Sequence, residues 1–289
     1  MLLMVTAMLL VPAMDAVAKY LAAVLVPAQI ALARFAFQVV FMAPLAVGRP
    51  FAIGPGDLWL HGLRGVLLAL ATAAFFAALA VMPMAETIAI FFVEPLLLSL
   101  LAGVLLKEGI GWRRIVAILV GFAGALLIVR PGLDLFGWAA TLPLLAALLF
   151  ALYLVATRVL AQRTDAVTLQ LTAGLAGTGT MAVLLAGGWA LGVPALTPTW
   201  PSASAWFWLA VLGLIATVSH LMIVHAFKRA PAAILAPFQY LEIGAAVAWG
   251  YLVFGDLPQP LTWLGIAIIT GSGLYVFHRE RRRAMASVG

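Results

Sequence analysis

The sequence predicts an all-α integral membrane protein in which ten transmembrane helices form two inverted five-helix repeats. Composition is the first reason: 66% of the 289 residues are hydrophobic and only 9% are charged, whereas a soluble domain carries about a quarter charged residues. A series of long apolar runs and a similarity between the two halves of the chain are the other reasons. A soluble enzyme is excluded, because this chain has too few charged residues to cover a water-exposed surface.

The apolar runs have the length that a membrane crossing requires. A hydrocarbon core about 30 Å thick takes about 20 apolar residues per helix, and the runs are separated by joints rich in glycine, proline and charged residues. The predicted spans, in chain order, are 2–22, 28–47, 58–81, 84–106, 112–130, 137–159, 167–187, 205–227, 232–254 and 261–278.

Prolines mark where several spans begin or bend. Pro27 opens the second span and Pro83 precedes the fourth. Pro12 in the first span, Pro95 in the fourth and Pro237 in the ninth each remove a backbone hydrogen bond, so we expect these helices to bend there.

Basic residues give the predicted spans an orientation. If both termini are cytoplasmic, twelve basic residues fall at cytoplasmic joints and only Arg130 at an outer joint, as the positive-inside rule demands. The twelve are Arg49, Lys107, Arg113, Arg114, Arg158, Arg163, Lys228, Arg229, Arg279, Arg281, Arg282 and Arg283. The alternation predicts a multi-pass membrane protein with both termini cytoplasmic, and it accounts for the net charge of +6 without a nucleic-acid partner.

The two halves, residues 1–132 and 133–289, are related by an internal repeat. At an offset of 148 residues the matched pairs are Gly65 with Gly213, Pro83 with Pro231, Glu94 with Glu242, and Glu108 with Asp256. Because each half has an odd number of crossings, the second copy is inverted, and inverted repeats are typical of secondary transporters. The second half also carries the basic C-terminal tail.

Three segments carry a family resemblance: PAQIALAR from Pro27 to Arg34, FFVEPLLLSLLAGVLLKEGIGWRRIVAILVGFAGALLIVRPG from Phe91 to Gly132, and AAILAPFQYLEIGAAVAWGYLVFGD from Ala232. With the ten short spans, they resemble the drug/metabolite transporter superfamily of the EamA type. The resemblance extends over the whole chain and, within the superfamily, is greatest to bacterial exporters of aromatic amino acids. It implies a ten-helix carrier of small metabolites.

Polar and aromatic residues at membrane depth form the candidate site. A charged side chain at the centre of a membrane helix costs about 2.5–3.5 kcal/mol on insertion scales, so each should face a cavity or a partner. The predicted substrate-binding residues are Lys19, Arg34, Phe75, Phe91, Glu94, Tyr153, His220, Gln239, Tyr240 and Glu242. The candidates for proton coupling are Asp15, Glu94 and Glu242.

Individual charges near this site have competing interpretations. Asp15 and Lys19 are four residues apart on one helix face, so they either neutralise each other or face the substrate. The planar fork of Arg34 suits a carboxylate, from a substrate or from Asp15 or Glu86. Glu86 itself follows Pro83 in the first turn of the fourth helix, where a capping role is favoured.

The predicted function is secondary transport of small metabolites by alternating access, with one half rocking against the other around a central site. The favoured substrates are amino acids, aromatic or otherwise neutral, moved by export. The alternatives are uptake or exchange of a nucleoside-like metabolite such as S-adenosylmethionine, and, in a different class, a membrane-embedded enzyme or a channel. No catalytic motif or filter-like loop supports the last two.

Several kinds of site are absent from the sequence. The chain has no cysteine and no nucleotide-binding glycine-lysine motif, so Cys-ligated metal and direct ATP drive are not expected. His220 and His225 are five residues apart, not the four of a helical metal pair. We therefore predict no cofactor and no metal; the expected partners are the substrate and the bilayer, and monomer and homodimer both stay open.

Overall fold

A computed structural model describes residues 1–48, 53–54, 56–105, 112–130, 137–161, 163–229, 235 and 238–286. The α-helices are α1 (Leu2–Leu21), α2 (Pro27–Ala46), α3 (Leu58–Val81), α4 (Met84–Phe91), α5 (Glu94–Leu105), α6 (Trp112–Val129), α7 (Thr141–Leu160), α8 (Ala166–Ala190), α9 (Ala203–Arg229), α10 (Leu241–Phe254) and α11 (Pro260–Ala286). Short 3₁₀ turns occupy Gly137–Ala140 and Pro194–Leu196.

The predicted ten-crossing, all-α fold is confirmed. Eight spans in the described part of the chain are long and apolar enough to cross a membrane, one of them formed by α4 and α5 together. The apolar segments Ile115–Val129 in α6 and Leu241–Phe254 in α10 are shorter. Five residues used in the sequence argument, Arg49, Lys107, Glu108, Pro231 and Pro237, lie outside the described residues.

Local chemistry explains several helix ends. Pro27 starts α2 and Pro260 starts α11, where a missing amide hydrogen costs nothing. The Asp165 carboxylate accepts hydrogen bonds from the backbone amides of Val167 and Thr168 and so caps α8. Gly255, with φ of 72°, ends α10 in the left-handed conformation that glycine adopts without strain.

Two predicted boundaries need correction. Helix α1 is continuous and contains Pro12, and the bend expected there stays a prediction. Helix α9 continues to Arg229, and α11 continues to Ala286, eight residues beyond the predicted end at 278. The extension of α11 takes in the arginine-rich tail. Arginine, glutamate, alanine and methionine, which make up residues 279–286, are all good helix formers.

The fourth crossing is broken, as Pro95 predicts. Helix α4 ends at Phe91 and α5 begins at Glu94. Between them the amide of Val93 bonds the carbonyl oxygen of Ile90 at 3.2 Å, a tighter turn than the α-helical spacing. The ninth crossing is also interrupted, by a turn at Tyr240 immediately before α10.

The two halves have the same pattern of contacts between helices. The pattern is seen when each crossing of the first half is compared with the crossing five places later in the second half. Helix α3 packs on α7 and α8, and the counterpart α9 packs on α1 and α2. Helix α5 packs on α7, and its counterpart α10 packs on α1. The pairs α2–α8 and α6–α11 map onto themselves. The two inverted repeats are therefore related by a pseudo-twofold axis.

The repeats interleave, so that each helix group contains members of both halves. One group consists of α3, α4–α5, α7 and α8, and the other of α1, α2, α9 and α10. We call the end of the bundle where α1 begins and α11 ends the termini end. The opposite end, which carries the α3–α4 and α10–α11 joints, is the far end.

The repeated glycine pair has a packing explanation. A Cβ atom at Gly65 of α3 would overlap Ala176 of α8, and one at Gly213 of α9 would overlap Phe37 of α2. These are counterpart contacts under the pseudo-twofold relation. The missing side chains allow both pairs of helix backbones to approach closely.

Candidate functional site

A cavity of about 190 Å³, partly open to the surface, lies between the two helix groups. Its walls come from α1, α2, α3, the α4–α5 break, α7, α9 and the start of α10. Eight of the residues predicted from the sequence line it: Asp15, Arg34, Phe75, Phe91, Glu94, His220, Gln239 and Glu242. Polar and aromatic side chains from both repeats therefore meet in one place.

Asp15 and Arg34 bring opposite charges to the cavity while almost completely buried. Asp15 is 2% exposed and Arg34 is 3% exposed. Within the described part of the chain, Oδ1 of Asp15 and both Nε and Nη1 of Arg34 have no hydrogen-bond partner. Buried polar groups are normally satisfied, so these atoms are free to bind a ligand.

The two helix breaks bring the repeated acids to the same cavity. Glu94 is the first residue of α5, and Glu242 lies in the first turn of α10. Half-helices that begin at membrane depth are a common feature of transporter binding sites. Phe92 and Tyr240, which the offset of 148 residues also relates, pack with ring centroids 5.5 Å apart. The pseudo-twofold axis thus passes beside the cavity.

Aromatic rings form a continuous row along one wall. The centroids of Phe75 and Phe91 are 5.0 Å apart, those of Phe91 and Phe150 are 5.6 Å apart, and those of Phe150 and Tyr153 are 5.2 Å apart. The first three rings line the cavity. They provide an apolar surface that a flat ligand can stack against.

Three of the predicted binding residues, Lys19, Tyr153 and Tyr240, are not among the cavity-lining residues. Tyr153 accepts a hydrogen bond from Nη2 of Arg64 at 2.9 Å. Lys19 donates to the carbonyl oxygen of Met82 at 2.8 Å and pairs with Asp256 at 3.0 Å, so the suggested pairing with Asp15 does not form. Partners from other helices reach Lys19 at the far end, whereas Asp15 faces the cavity.

Arg64 is fully engaged in holding helices together. It is 2% exposed, and it donates to Thr157 Oγ1 at 2.7 Å and to the carbonyl oxygen of Leu169 at 2.7 Å, in addition to Tyr153. Its guanidinium also lies 4.7 Å from the centroid of the Tyr153 ring. These bonds join α3 to α7 and α8, which is how a buried arginine is accommodated.

Two other polar residues have local partners. His220 lines the cavity, and its Nδ1 lies 2.8 Å from the carbonyl oxygen of Ala216. Glu86 lies in the first turn of α4, as predicted, but its side chain is buried and accepts a hydrogen bond from Thr262 at 3.3 Å. It thus ties α4 to α11.

Several residues that line the cavity were not predicted from the sequence, among them Met8, Met14, Thr72 and Phe150. Phe150 lies three residues before Tyr153 on the same helix, a spacing that places both on one face, and this signal would have found it. Thr72 bonds the carbonyl oxygen of Leu68 in its own helix at 2.8 Å. Methionines in an apolar span give no signal that separates a cavity wall from ordinary packing.

Comparisons with known proteins agree with this architecture. The profile of the EamA-like transporter family matches residues 1–130 and 137–277. The riboflavin transporter of Rhizobium johnstonii is 35% identical over 227 residues, which are 78% of this chain and 72% of that protein. The riboflavin transporter of Brucella anthropi is 30% identical, over 79% of this chain and 80% of that protein.

More distant similarities extend the comparison. The S-adenosylmethionine uptake transporter of Rickettsia bellii is 26% identical over 82% of this chain and 76% of that protein. A protein of known crystal structure shares the fold with a TM-score of 0.62 at 22% identity, over 94% of each chain.

Proposed function

The chain belongs to the EamA-like transporter family, and from this premise we propose that it carries a flat heteroaromatic metabolite, riboflavin in the first instance, into the bacterial cell. The observation that carries the proposal is the cavity in which an aromatic wall faces an unsatisfied buried arginine and carboxylate. Two relatives that are at least 30% identical are riboflavin transporters.

The chemistry of the cavity suits such a substrate. The rings of Phe75, Phe91 and Phe150 offer stacking faces for a planar ring system. Arg34 has free donors for the carbonyl oxygens of a flavin. The carboxylates of Glu94 and Glu242 can accept hydrogen bonds from ring N–H and sugar-alcohol hydroxyl groups.

Alternating access would move the two helix groups, not the two halves of the sequence. The contacts α3–α7, α3–α8, α1–α9 and α2–α9 lie within the groups and join residues of opposite halves. Rocking one sequence half against the other would break all of them. Relative motion of the groups leaves these contacts intact and opens the cavity between them, as in other inverted-repeat carriers.

Membrane location and coupling complete the proposal. The distribution of basic residues supports cytoplasmic termini in the bacterial inner membrane. Asp15, Glu94 and Glu242 all line the cavity, and a carboxylate that meets each side of the membrane in turn is suited to carry a coupling proton.

An amino acid, which was the substrate favoured from the sequence, is the second candidate. Pockets for drug-sized ligands are about 300–1,000 Å³, whereas this cavity is about 190 Å³, so riboflavin requires the groups to separate further. An aromatic or neutral amino acid needs less space. Its carboxylate would pair with Arg34 and its ammonium with Asp15, and the proposed direction for this substrate is export.

Transport by purified protein in liposomes tests these candidates directly. Uptake of radiolabelled riboflavin, inhibited by excess unlabelled riboflavin but not by phenylalanine or tryptophan, is the expected result, and accelerated exchange against trapped unlabelled riboflavin would identify a carrier. The substitution R34Q should abolish uptake. Its control is R130Q, which removes a partly exposed arginine outside the cavity, whose Nη1 donates to Oε1 of Gln259. Exchange of amino acids with none of riboflavin would favour the second candidate.

A further inference from the structure

Lys19 connects three separate parts of the chain at the far end of the bundle. Its ammonium group donates to the carbonyl oxygen of Met82 in the α3–α4 joint at 2.8 Å. It pairs with the carboxylate of Asp256 in the α10–α11 joint at 3.0 Å. It also lies 5.1 Å from the centroid of the Phe254 ring. One side chain of α1 thereby holds both joints.

These contacts join helices of different groups. Lys19 lies in α1 and Asp256 in the joint that follows α10, so both belong to the group of α1, α2, α9 and α10. Met82 lies in the joint between α3 and α4, which belong to the other group. Separation of the groups at the far end must therefore break the bond to Met82. It must also separate α10 from α4, which pack against each other.

Buried apolar side chains surround this ion pair at the far end. Leu21, Leu79, Met82, Met84 and Ile88 are each at most 1% exposed and belong to one hydrophobic cluster. The cavity-lining residues of α1 end at Asp15, one turn before Lys19. Above the cavity, the far end is therefore packed with apolar side chains around the ion pair.

From this geometry we infer that Lys19, held in place by Asp256, latches the far end shut through its hydrogen bond to the Met82 carbonyl oxygen. The latch is partly exposed, with side chains 17% and 31% accessible, so it is weak enough to open during transport. The ion pair stabilises the conformer that is closed at the far end. Its loss therefore shifts the equilibrium toward the open conformer, by the free energy that the pair contributed. Lys19 then acts on access to the cavity and does not contact the substrate.

The chain provides a clean background for a test because it has no cysteine. Met14 lines the cavity below the latch and is a position for a single reporter, M14C. Sealed vesicles that contain the protein in either orientation are treated with a membrane-impermeant thiol reagent. A protease-sensitive tag on the C-terminal tail is cleaved only where the tail lies outside the vesicle, so cleavage identifies the orientation of the protein. The measured quantity is the rate of cysteine modification from the side opposite the tail.

We expect K19Q and D256N each to raise this modification rate about three- to fivefold, since a partly exposed ion pair shifts an equilibrium by no more than this. The conservative K19R keeps both the positive charge that pairs with Asp256 and a donor for the Met82 carbonyl oxygen, so its rate should stay near that of the M14C parent. The matched control is D57N. It removes an ion pair at the termini end, in which Asp57 Oδ1 lies 3.5 Å from Nη1 of Arg163. It should leave the rate unchanged.

Unchanged modification in both K19Q and D256N, or modification in K19R as fast as in K19Q, would overturn the latch. The inference rests on the alternating access proposed above, yet this assay uses no substrate. Failure of riboflavin and amino-acid transport in liposomes would therefore count against the proposed function alone. A gel-filtration profile of each variant, matching that of the M14C parent, confirms that the compared proteins are folded.

Discussion

Asp15 and Arg34 are the pair of charges whose separate removal should be most harmful. Both are almost fully buried, line one cavity and attract each other electrostatically. Removing one member of a buried pair costs about 3–5 kcal/mol, because the other charge is left uncompensated. The cavity gives the remaining charge some access to water, so we take the lower value. D15N and R34Q should then each reduce the free energy of unfolding by about 3 kcal/mol.

The double variant should cost much less than the sum of the single variants. With both charges gone, no uncompensated charge remains, and residues coupled through a shared cavity show interaction energies of about 0.5–3 kcal/mol. Taking about 2 kcal/mol for this pair, we expect D15N/R34Q to lose about 4 kcal/mol in place of about 6 kcal/mol. The decrease in Tm of the double variant should therefore be about two-thirds of the summed decreases.

Thermal unfolding of detergent-purified protein, followed by tryptophan fluorescence, measures these differences. For a chain of this size, 1 kcal/mol changes Tm by about 2–4 °C, so each single variant should lose about 6–12 °C. D57N breaks an ion pair whose arginine is mostly exposed and should lose at most a few degrees. Strictly additive decreases in Tm would show that Asp15 and Arg34 do not compensate each other, and the reasoning would fail.

Three further changes test the site and the packing. Replacing Glu94 or Glu242 with glutamine removes a titratable carboxyl from the cavity, so the pH dependence of uptake should flatten in liposome assays if that residue carries the coupling proton. F150A removes one stacking face of the cavity, and because a stacked ring pair is worth about 0.5–1.5 kcal/mol, the half-saturating riboflavin concentration should rise by up to about tenfold. G65V overpacks the α3–α8 contact and should cost about 1–3 kcal/mol in thermal unfolding, whereas G179A, with open space around it, should not.

Each of these tests has its own contrary outcome. Normal uptake by both glutamine variants across the pH range would remove the carboxylates from the coupling mechanism. A matched control for F150A is F207A, which removes a ring that is 61% exposed on the outside of the bundle, and equal effects of the two would argue against stacking. A G65V protein as stable as the parent would mean that α3 and α8 are not in the close contact described.

The sequence was sufficient to predict the fold because membrane insertion imposes strong rules. Span length follows from the thickness of the hydrocarbon core, and orientation from the basic joints. The repeat was visible because acids at membrane depth are costly and therefore few, so that matching Glu94 with Glu242 stands out. The broken fourth crossing followed from Pro95, whose ring cannot continue the hydrogen-bond ladder.

The site was predicted only in part, for a different physical reason. Depth along a helix can be counted from residue numbers, whereas the direction of a side chain depends on which helices pack against it. Lys19 and Asp15 are one turn apart, yet one reaches a joint at the far end and the other faces the cavity. Arg64 is the seventh residue of α3, and only its partners on α7 and α8 show that it is a buried crosslink. Only tertiary contacts decide such cases.

The two repeats share their packing but not their polar contacts, and this difference has a consequence for transport. Gly65 and Gly213 make equivalent helix contacts, yet the residues before them are Arg64 and Leu212. Arg64 joins its neighbours through three hydrogen-bond partners, whereas Leu212 is simply buried. Two identical inverted halves would make conformers closed at either end equal in free energy, because the exchange of halves turns one into the other. Unequal polar contacts remove that equality, so the resting conformer is determined by a few side chains and not by the symmetric backbone.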